Sequence, residues 1–160
     1  MSQFPILSFL LPTLVRKAVV VCVSAKFFHH QFPRSIQDVN IHINALELLS
    51  VVVAIKLRAP KVTGLSVELL SDNTTCVAVI NNQRSSTYFM QRCVRELWLV
   101  LALHNINLVV SPFAGKQNTL ADALSRFHHN TFEERFRTLN SHLSLEEVIV
   151  EDHVFNFVVD

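Results

Sequence analysis

The order of apolar and polar positions along the 160 residues predicts strands that alternate with helices. Residues 18–23 form a continuous apolar run rich in valine, which is typical of a buried strand. The aromatic stretch at residues 27–32, closed by Pro33, predicts a second strand or its exit. The polar composition of residues 34–40 predicts a loop between this strand and the next element.

Helical spacing of apolar residues begins after that loop and continues through residues 46–57. Asn44 is the predicted N-cap, and Glu47 three residues later then falls in the first turn, as in a capping box. Pro60 is predicted to end this helix because proline has no N–H to donate.

The remaining pattern continues the alternation. It predicts, in order, a strand at residues 65–70 ending at Ser71 and Asp72, a helix at 74–82, a long helix at 87–104, a strand at 107–110 broken by Pro112, and a helix at 119–127 that carries Asp122. This order indicates an α/β fold with crossover connections. In open α/β sheets, ligands gather at the carboxyl ends of strands, which is where Asp72 lies.

Composition sets limits on function. The length suits one ordinary domain, and a hydrophobic fraction of 50% with only 2 glycines provides a large core with few tight turns. The formal net charge of +1 produces no strong global field, so any nucleic-acid contact must come from a local patch.

The three cysteines indicate neither a disulfide framework nor a zinc site. Cys22, Cys76 and Cys93 are odd in number and show no C-x-x-C spacing. We expect them to be small buried apolar residues in a reducing compartment.

The apolar stretch at residues 4–15 does not have the features of a membrane span or a secretory signal. No basic residue precedes residues 4–15, and Arg16 and Lys17 then interrupt the apolar pattern. We therefore expect no membrane partner and an intracellular location, cytoplasmic or nuclear, rather than secretion.

Three carboxylates stand out because each lies at the edge of a different predicted element: Glu47, Asp72 and Asp122. Oxygen ligands from separate elements suit a hard cation such as Mg²⁺, and paired divalent cations catalyse phosphodiester hydrolysis. Taken singly, each acid also has a structural explanation, as a helix-cap residue, a strand-end turn and an exposed helix position respectively.

Several short segments resemble, in order and spacing, the ribonuclease H domain that follows the reverse transcriptase of DIRS/Ngaro-type retrotransposons. They are residues 28–33 (Phe-His-His-Gln-Phe-Pro), 42–49 (His-Ile-Asn-Ala-Leu-Glu-Leu-Leu), 71–74 (Ser-Asp-Asn-Thr), 79–81 (Val-Ile-Asn), 90–97 (Met-Gln-Arg-Cys-Val-Arg-Glu-Leu), 115–118 (Gly-Lys-Gln-Asn) and 121–126 (Ala-Asp-Ala-Leu-Ser-Arg). The resemblance implies an RNase H-like α/β fold, with a central mixed β-sheet flanked by helices. It divides the chain into a divergent N-terminal strand region at 1–26, an RNase H-like domain at 27–128 and a C-terminal extension at 129–160.

The same resemblance implies an activity and its residues. The activity is divalent-metal-dependent hydrolysis of RNA in an RNA/DNA hybrid during reverse transcription. The implied partners are the hybrid and an upstream reverse transcriptase domain of the same polyprotein. Mg²⁺ (or Mn²⁺) would be held by the second, third and fourth family carboxylates, Glu47, Asp72 and Asp122. The implied nucleic-acid contacts are Asn73, Arg84, Lys116 and Asn118.

The chain departs from the family at its first strand. That strand should carry a Thr-Asp-Ala-Ser-like segment near residues 8–12, followed by a glycine-containing hairpin, but no acidic residue precedes Asp38 and the hairpin glycines are missing. Asp38 could substitute only if its loop folded back into the site. We therefore expect a degenerate N-terminal hairpin and very weak activity or none. The alternatives are an inactive RNase H-like module that binds nucleic acid or protein, or a decayed element fragment.

Overall fold

The computed structural model describes residues 6–8, 18–23, 26–112 and 146–158, with side chains described at residues 30–112 and 146–158. Its elements are β1 (Ile6–Ser8), β2 (Ala18–Val23), β3 (Lys26–Gln31), α1 (Arg34–Gln37), α2 (Ile43–Arg58), a short 3₁₀ helix (Ala59–Lys61), β4 (Ser66–Ser71), α3 (Thr74–Asn82), α4 (Tyr88–Leu103), β5 (Asn107–Pro112), β6 (Glu146–Glu147) and a second 3₁₀ helix (Asp152–Phe155).

The described strands form two three-stranded sheets, so the chain has an α/β fold. In the first sheet, β1 and β5 flank β4 and both run parallel to it, with Ser8 opposite Leu70 and Ser66 opposite Asn107. In the second sheet, β3 pairs antiparallel with β2 and parallel with β6. β1 and β2 contact each other, so the two sheets adjoin.

The predicted degenerate hairpin forms a regular antiparallel pair. β2 and β3 are in register from Ala18 opposite Gln31 to Val23 opposite Lys26, over six residue pairs. The valine-rich and aromatic composition of the two strands supports this pairing without the family's glycines.

Most predicted elements are confirmed to within two residues, but the loop predicted at residues 34–40 was wrong. Residues 34–40 were expected to be a loop, whereas α1 occupies the first four of them and buries Ile36. The carbonyl of Pro33 accepts hydrogen bonds from the N–H groups of Ile36 and Gln37, which closes this single turn. The predicted helix at 119–127 lies outside the described residues.

The start of α2 also differs from the prediction. The N-cap is His42, whose Nδ1 accepts a hydrogen bond from the Asn44 N–H at 3.2 Å. Asn44 lies inside the helix, so the predicted capping box is absent and Glu47 lies just beyond the first turn. His42 can cap because its backbone is extended, with ψ at 144°, and its imidazole supplies the acceptor.

The core lies between α2, α4 and the sheets. Ten of the 16 residues of α2 are buried, and Leu48 and Leu49 have no exposed surface. Phe155 of the C-terminal segment is also fully buried and contacts His30 and Phe32, with ring centroids 5.7 and 6.0 Å away. The C-terminal segment is thus part of the same core as α2.

Within the described segments, no helix combines the length and the apolar character that are needed to cross a bilayer.

Candidate functional site

The structure brings Glu47 and Asp72 together at the carboxyl end of β4. Asp72 directly follows Ser71, the last residue of β4, and is exposed. Glu47 lies in the first half of α2, is partly buried, and its carboxyl interacts electrostatically with that of Asp72. The direct link between the two acids is Asn73, the residue after Asp72, whose side chain donates to Glu47 Oε2.

Asn73 links the elements around these carboxylates. Its Nδ2 donates to Asn44 Oδ1 at 3.1 Å and also to Glu47 Oε2. Its Oδ1 accepts from the Cys76 N–H at 3.0 Å, which makes Asn73 the N-cap of α3. Its own N–H donates to Ser71 Oγ at 3.1 Å. Through its side chain and its backbone N–H, this one residue thus links α2, α3 and the end of β4.

Sequence reasoning placed Asn73 beside the carboxylates as a nucleic-acid contact, a role that stays a prediction. The structure shows that both ends of its amide already bind protein groups. The roles of Asn44 and Ser71 were missed. The local sequence carries no signal for either role, because both depend on how α2 packs against the end of β4.

Burial raises the pKa of the Glu47 carboxyl above its ordinary value, since a charged carboxylate loses hydration there. The hydrogen bond from Asn73 acts in the opposite direction, the negative charge of Asp72 raises the pKa further, and His42 lowers it. The net direction is upward. A cation bound beside both carboxylates would favour the ionised form of Glu47.

The donor atoms suit a hard divalent cation. Cys76 Sγ donates to the carbonyl of Asn44 at 3.4 Å, and burial raises the pKa of this thiol, so it is protonated when no metal is bound. The Nδ1 of His42 is used in capping α2. The carboxylates of Glu47 and Asp72 supply oxygen donors, which Mg²⁺ and Mn²⁺ prefer.

The donors fit such a cation in type but fall short in number. Among the residues that the structure describes, no three His, Cys, Asp or Glu side chains form a group that could hold a metal ion. The third predicted carboxylate, Asp122, lies outside the described residues, as do Lys116 and Asn118. Asp38 is exposed at the C-cap of α1.

Arg84 lies on a groove that Asn44, a hydrogen-bond partner of Asn73, also lines. The groove has a volume of about 680 Å³, and Asn44, Ser85, Thr87 and Phe89 also line it. Asn44 belongs both to this groove and to the hydrogen bonds around Glu47. Asn44 is therefore the residue that connects the groove of Arg84 with the hydrogen bonds around Glu47.

The two described cysteines have a structural role. Cys76 and Cys93 are free and buried, as predicted. Burial raises the pKa of Cys93 to about 12, so this thiol stays protonated at neutral pH.

Comparisons of the chain with protein-family models, with curated proteins and with solved structures found no match. The family resemblance therefore rests on the sequence segments, and the site on the geometry of Glu47, Asp72 and Asn73.

Proposed function

We propose that the chain is a retrotransposon-derived RNase H-like domain, whose ancestral activity is divalent-metal-dependent hydrolysis of RNA in RNA/DNA hybrids. The observation that carries the proposal is the hydrogen bond from Asn73, the residue after Asp72, to Glu47 Oε2 at the end of β4. The family resemblance assigns Glu47 and Asp72 to the metal-binding set, and this bond links their two elements, α2 and the end of β4.

The arrangement of the first sheet supports this proposal. β1 runs parallel to β4, and Ser8 and Leu70 pair near their carboxyl ends. A carboxylate at the end of β1 would therefore lie at the same edge of the sheet as Asp72. The family's first aspartate belongs on such a strand, next to the third carboxylate.

The chemistry also fits the residues. Glu47 and Asp72, with Asp122 as the predicted third ligand, would hold the cation. Bound divalent cations would supply a polarised water and offset the charge on the leaving oxygen. The protein's own contribution is to orient Glu47 through Asn73 and to keep its carboxyl partly buried.

Arg84 provides the predicted substrate contact. It is exposed in the groove that begins at Asn44, and the hydroxyls of Ser85 and Thr87 line the same groove. Arginine and hydroxyl groups bind phosphate oxygens and position a hybrid by its backbone rather than by its bases.

The missing first carboxylate predicts weak catalysis. Each tenfold loss of rate corresponds to about 1.4 kcal/mol of transition-state stabilisation, so one absent metal ligand can remove most of the activity. For this reason an inactive module that binds nucleic acid or protein is a second candidate. A third is a decayed element fragment, which would not unfold cooperatively.

The deciding experiment measures cleavage of an end-labelled RNA/DNA hybrid by the purified chain in Mg²⁺ and in Mn²⁺. Asp72→Asn is the matched variant, because it removes the charge and keeps the size of the side chain. We expect slow cleavage that Asp72→Asn abolishes. Hybrid binding without cleavage, by a protein that unfolds cooperatively, would favour the inactive binding module. Cleavage equal in both proteins would contradict the proposed site.

A further inference from the structure

A second groove lies on the outer side of α4, apart from the carboxylates. Its volume is about 690 Å³, and it is lined by Tyr88, Arg92, Arg95, Glu96, Trp98, Leu99 and Phe157. It shares no lining residue with the groove of Arg84. The seven residues are called the α4 groove below.

Three aromatic rings line the α4 groove. Tyr88 is 74% exposed although it is a large ring, Trp98 is partly buried, and Phe157 is contributed by the C-terminal segment. The indole N–H of Trp98 is buried without a hydrogen-bond acceptor among the described residues. The groove thus offers flat apolar surfaces to a ligand.

Contacts between its residues hold the groove in shape. The guanidinium of Arg92 lies 5.6 Å from the centroid of the Tyr88 ring, and its Nε donates to the carbonyl of Phe157 at 3.0 Å. The ammonium of Lys56 lies 4.6 Å from the centroid of the Phe157 ring. A pre-ordered groove loses less conformational entropy when a ligand binds.

The charges in the α4 groove favour an anionic ligand. Arg92 and Arg95 contribute two guanidinium groups, and Arg95 is exposed. The only carboxylate among the described lining residues, Glu96, is paired with Lys56. Among these described residues, Arg95 is therefore the exposed cation that an anionic ligand would contact.

Residues at the start of α4 line both grooves. Thr87, Phe89 and Met90 line the groove of Arg84, whereas Tyr88 and Arg92 line the α4 groove. A flexible strand that leaves the first groove can reach the second by crossing the start of this helix.

From these observations we propose that the α4 groove binds single-stranded nucleic acid, with bases stacked on Tyr88 and Trp98 and phosphates bound by Arg95. Stacking on aromatic rings beside arginine is the general mode of single-strand binding. A duplex keeps its bases stacked on one another, so its bases could not stack on these rings. The choice of nucleic acid over an acidic peptide rests on the proposed function.

Trp98 is the only tryptophan of the chain, so its fluorescence reports directly on the α4 groove. Titration of the full chain with a short oligothymidylate is expected to quench this fluorescence in a saturable way. Tyr88→Ala and Arg95→Ala should each weaken the apparent affinity by about tenfold, the effect of losing one stacking or phosphate contact. Arg95→Ala should also reduce the salt dependence of binding.

Lys61→Ala is the matched control for Arg95→Ala, since it removes an exposed cation from the 3₁₀ helix that follows α2. It should bind as the unmodified chain does. Equal affinities for all variants would overturn the proposal, and stronger quenching by polyglutamate than by oligothymidylate would assign the groove to an acidic peptide. Thermal unfolding of each variant shows that it is folded.

The test is separable from that of the proposed function. Asp72→Asn should leave quenching unchanged, because Asp72 lies outside the α4 groove. Quenching without hybrid cleavage would leave only the catalytic function unsupported. Hybrid cleavage without quenching would overturn only the α4 groove proposal.

Discussion

Asn73 contributes to stability through two separable contacts, the cap of α3 and the hydrogen bonds to Glu47 and Asn44. Asn73→Ala removes both. A lost N-cap costs about 0.5–2 kcal/mol and a lost hydrogen bond about 1 kcal/mol, so we expect the free energy of unfolding to fall by about 2 kcal/mol. Urea titration measures this loss.

Asn73→Ser separates the two contributions. A serine hydroxyl can still cap α3 but cannot donate as an amide does, so a smaller loss than for Asn73→Ala is expected. If Asn73→Ser were as stable as the unmodified chain, the link between Asn73 and Glu47 would contribute nothing to stability.

Glu47 makes stability depend on pH in a defined direction. Burial and the charge of Asp72 raise the pKa of its carboxyl in the folded protein, so the folded state holds this proton more tightly than the unfolded chain. The contribution of Glu47 to the free energy of unfolding therefore falls as pH rises from its unfolded pKa to its folded pKa, and stays low above that.

Glu47→Gln removes this titration and should be more stable than the unmodified chain at pH 7. The difference should vanish below about pH 4, where Glu47 is protonated in both states. Chemical denaturation across a pH series measures it, with the exposed Glu147→Gln as control. A stability difference that does not change with pH would contradict the explanation.

The sequence predicted that the carboxylates of Glu47 and Asp72 would lie close together, because Glu47 falls at the start of a predicted helix and Asp72 at the end of a predicted strand. It did not predict the bond between Asn44 and Asn73, which joins residues 29 positions apart. Such a contact depends on the packing angle of α2 against β4, and no local pattern encodes that angle. The third carboxylate, Asp122, stays a prediction.

At the level of elements, periodicity located the helices better than capping signals located their ends. Apolar spacing predicted α3 and the long helix α4 because both bury one face. At α2, Asn44 is the commoner capping residue, but His42 has the extended backbone that a cap requires. The preference of a residue type was outweighed by the tertiary position of Asn44 next to Asn73.

The C-terminal segment is an element that periodicity did not predict. Only a few of its side chains contact the core. The spacing of apolar residues around positions 150–158 is short and irregular, so it predicts neither a helix nor a strand. Phe155 fills the space beside His30 and Phe32. Asp152 also accepts a hydrogen bond from His30 Nε2, with the two atoms 2.8 Å apart. We therefore expect this segment to be needed for folding.

Phe155→Ala tests that expectation. Truncating a fully buried phenylalanine typically costs about 3–5 kcal/mol, a large part of the stability of a single domain. The control is Ile149→Ala in the same segment, because Ile149 is 86% exposed and its loss should change stability by less than about 0.5 kcal/mol. Similar unfolding midpoints for the two variants would show that the segment is separable from the core.

For the whole molecule, the small net charge is compatible with nucleic-acid binding because the cations are placed locally. Arg84 lies on one groove, Arg92 and Arg95 lie on the other, and both grooves are lined in part by residues at the start of α4. Composition alone predicted that any such contact must be local. Its location depends on the path of α4, which only the fold determines.

Cation binding by the whole protein should appear as a rise in its unfolding temperature. Mg²⁺ or Mn²⁺ offsets the repulsion between Glu47 and Asp72 only in the folded state, so mass action stabilises that state by about 2.7 kcal/mol at a cation concentration of 100 times Kd. For a chain of this size, each kcal/mol corresponds to about 2–4 °C. The rise should diminish at acidic pH, where Glu47 is protonated, and should be lost in Asp72→Asn and Glu47→Gln. The same rise in Asp72→Asn would place the cation elsewhere and remove the main support for a nuclease site at the end of β4.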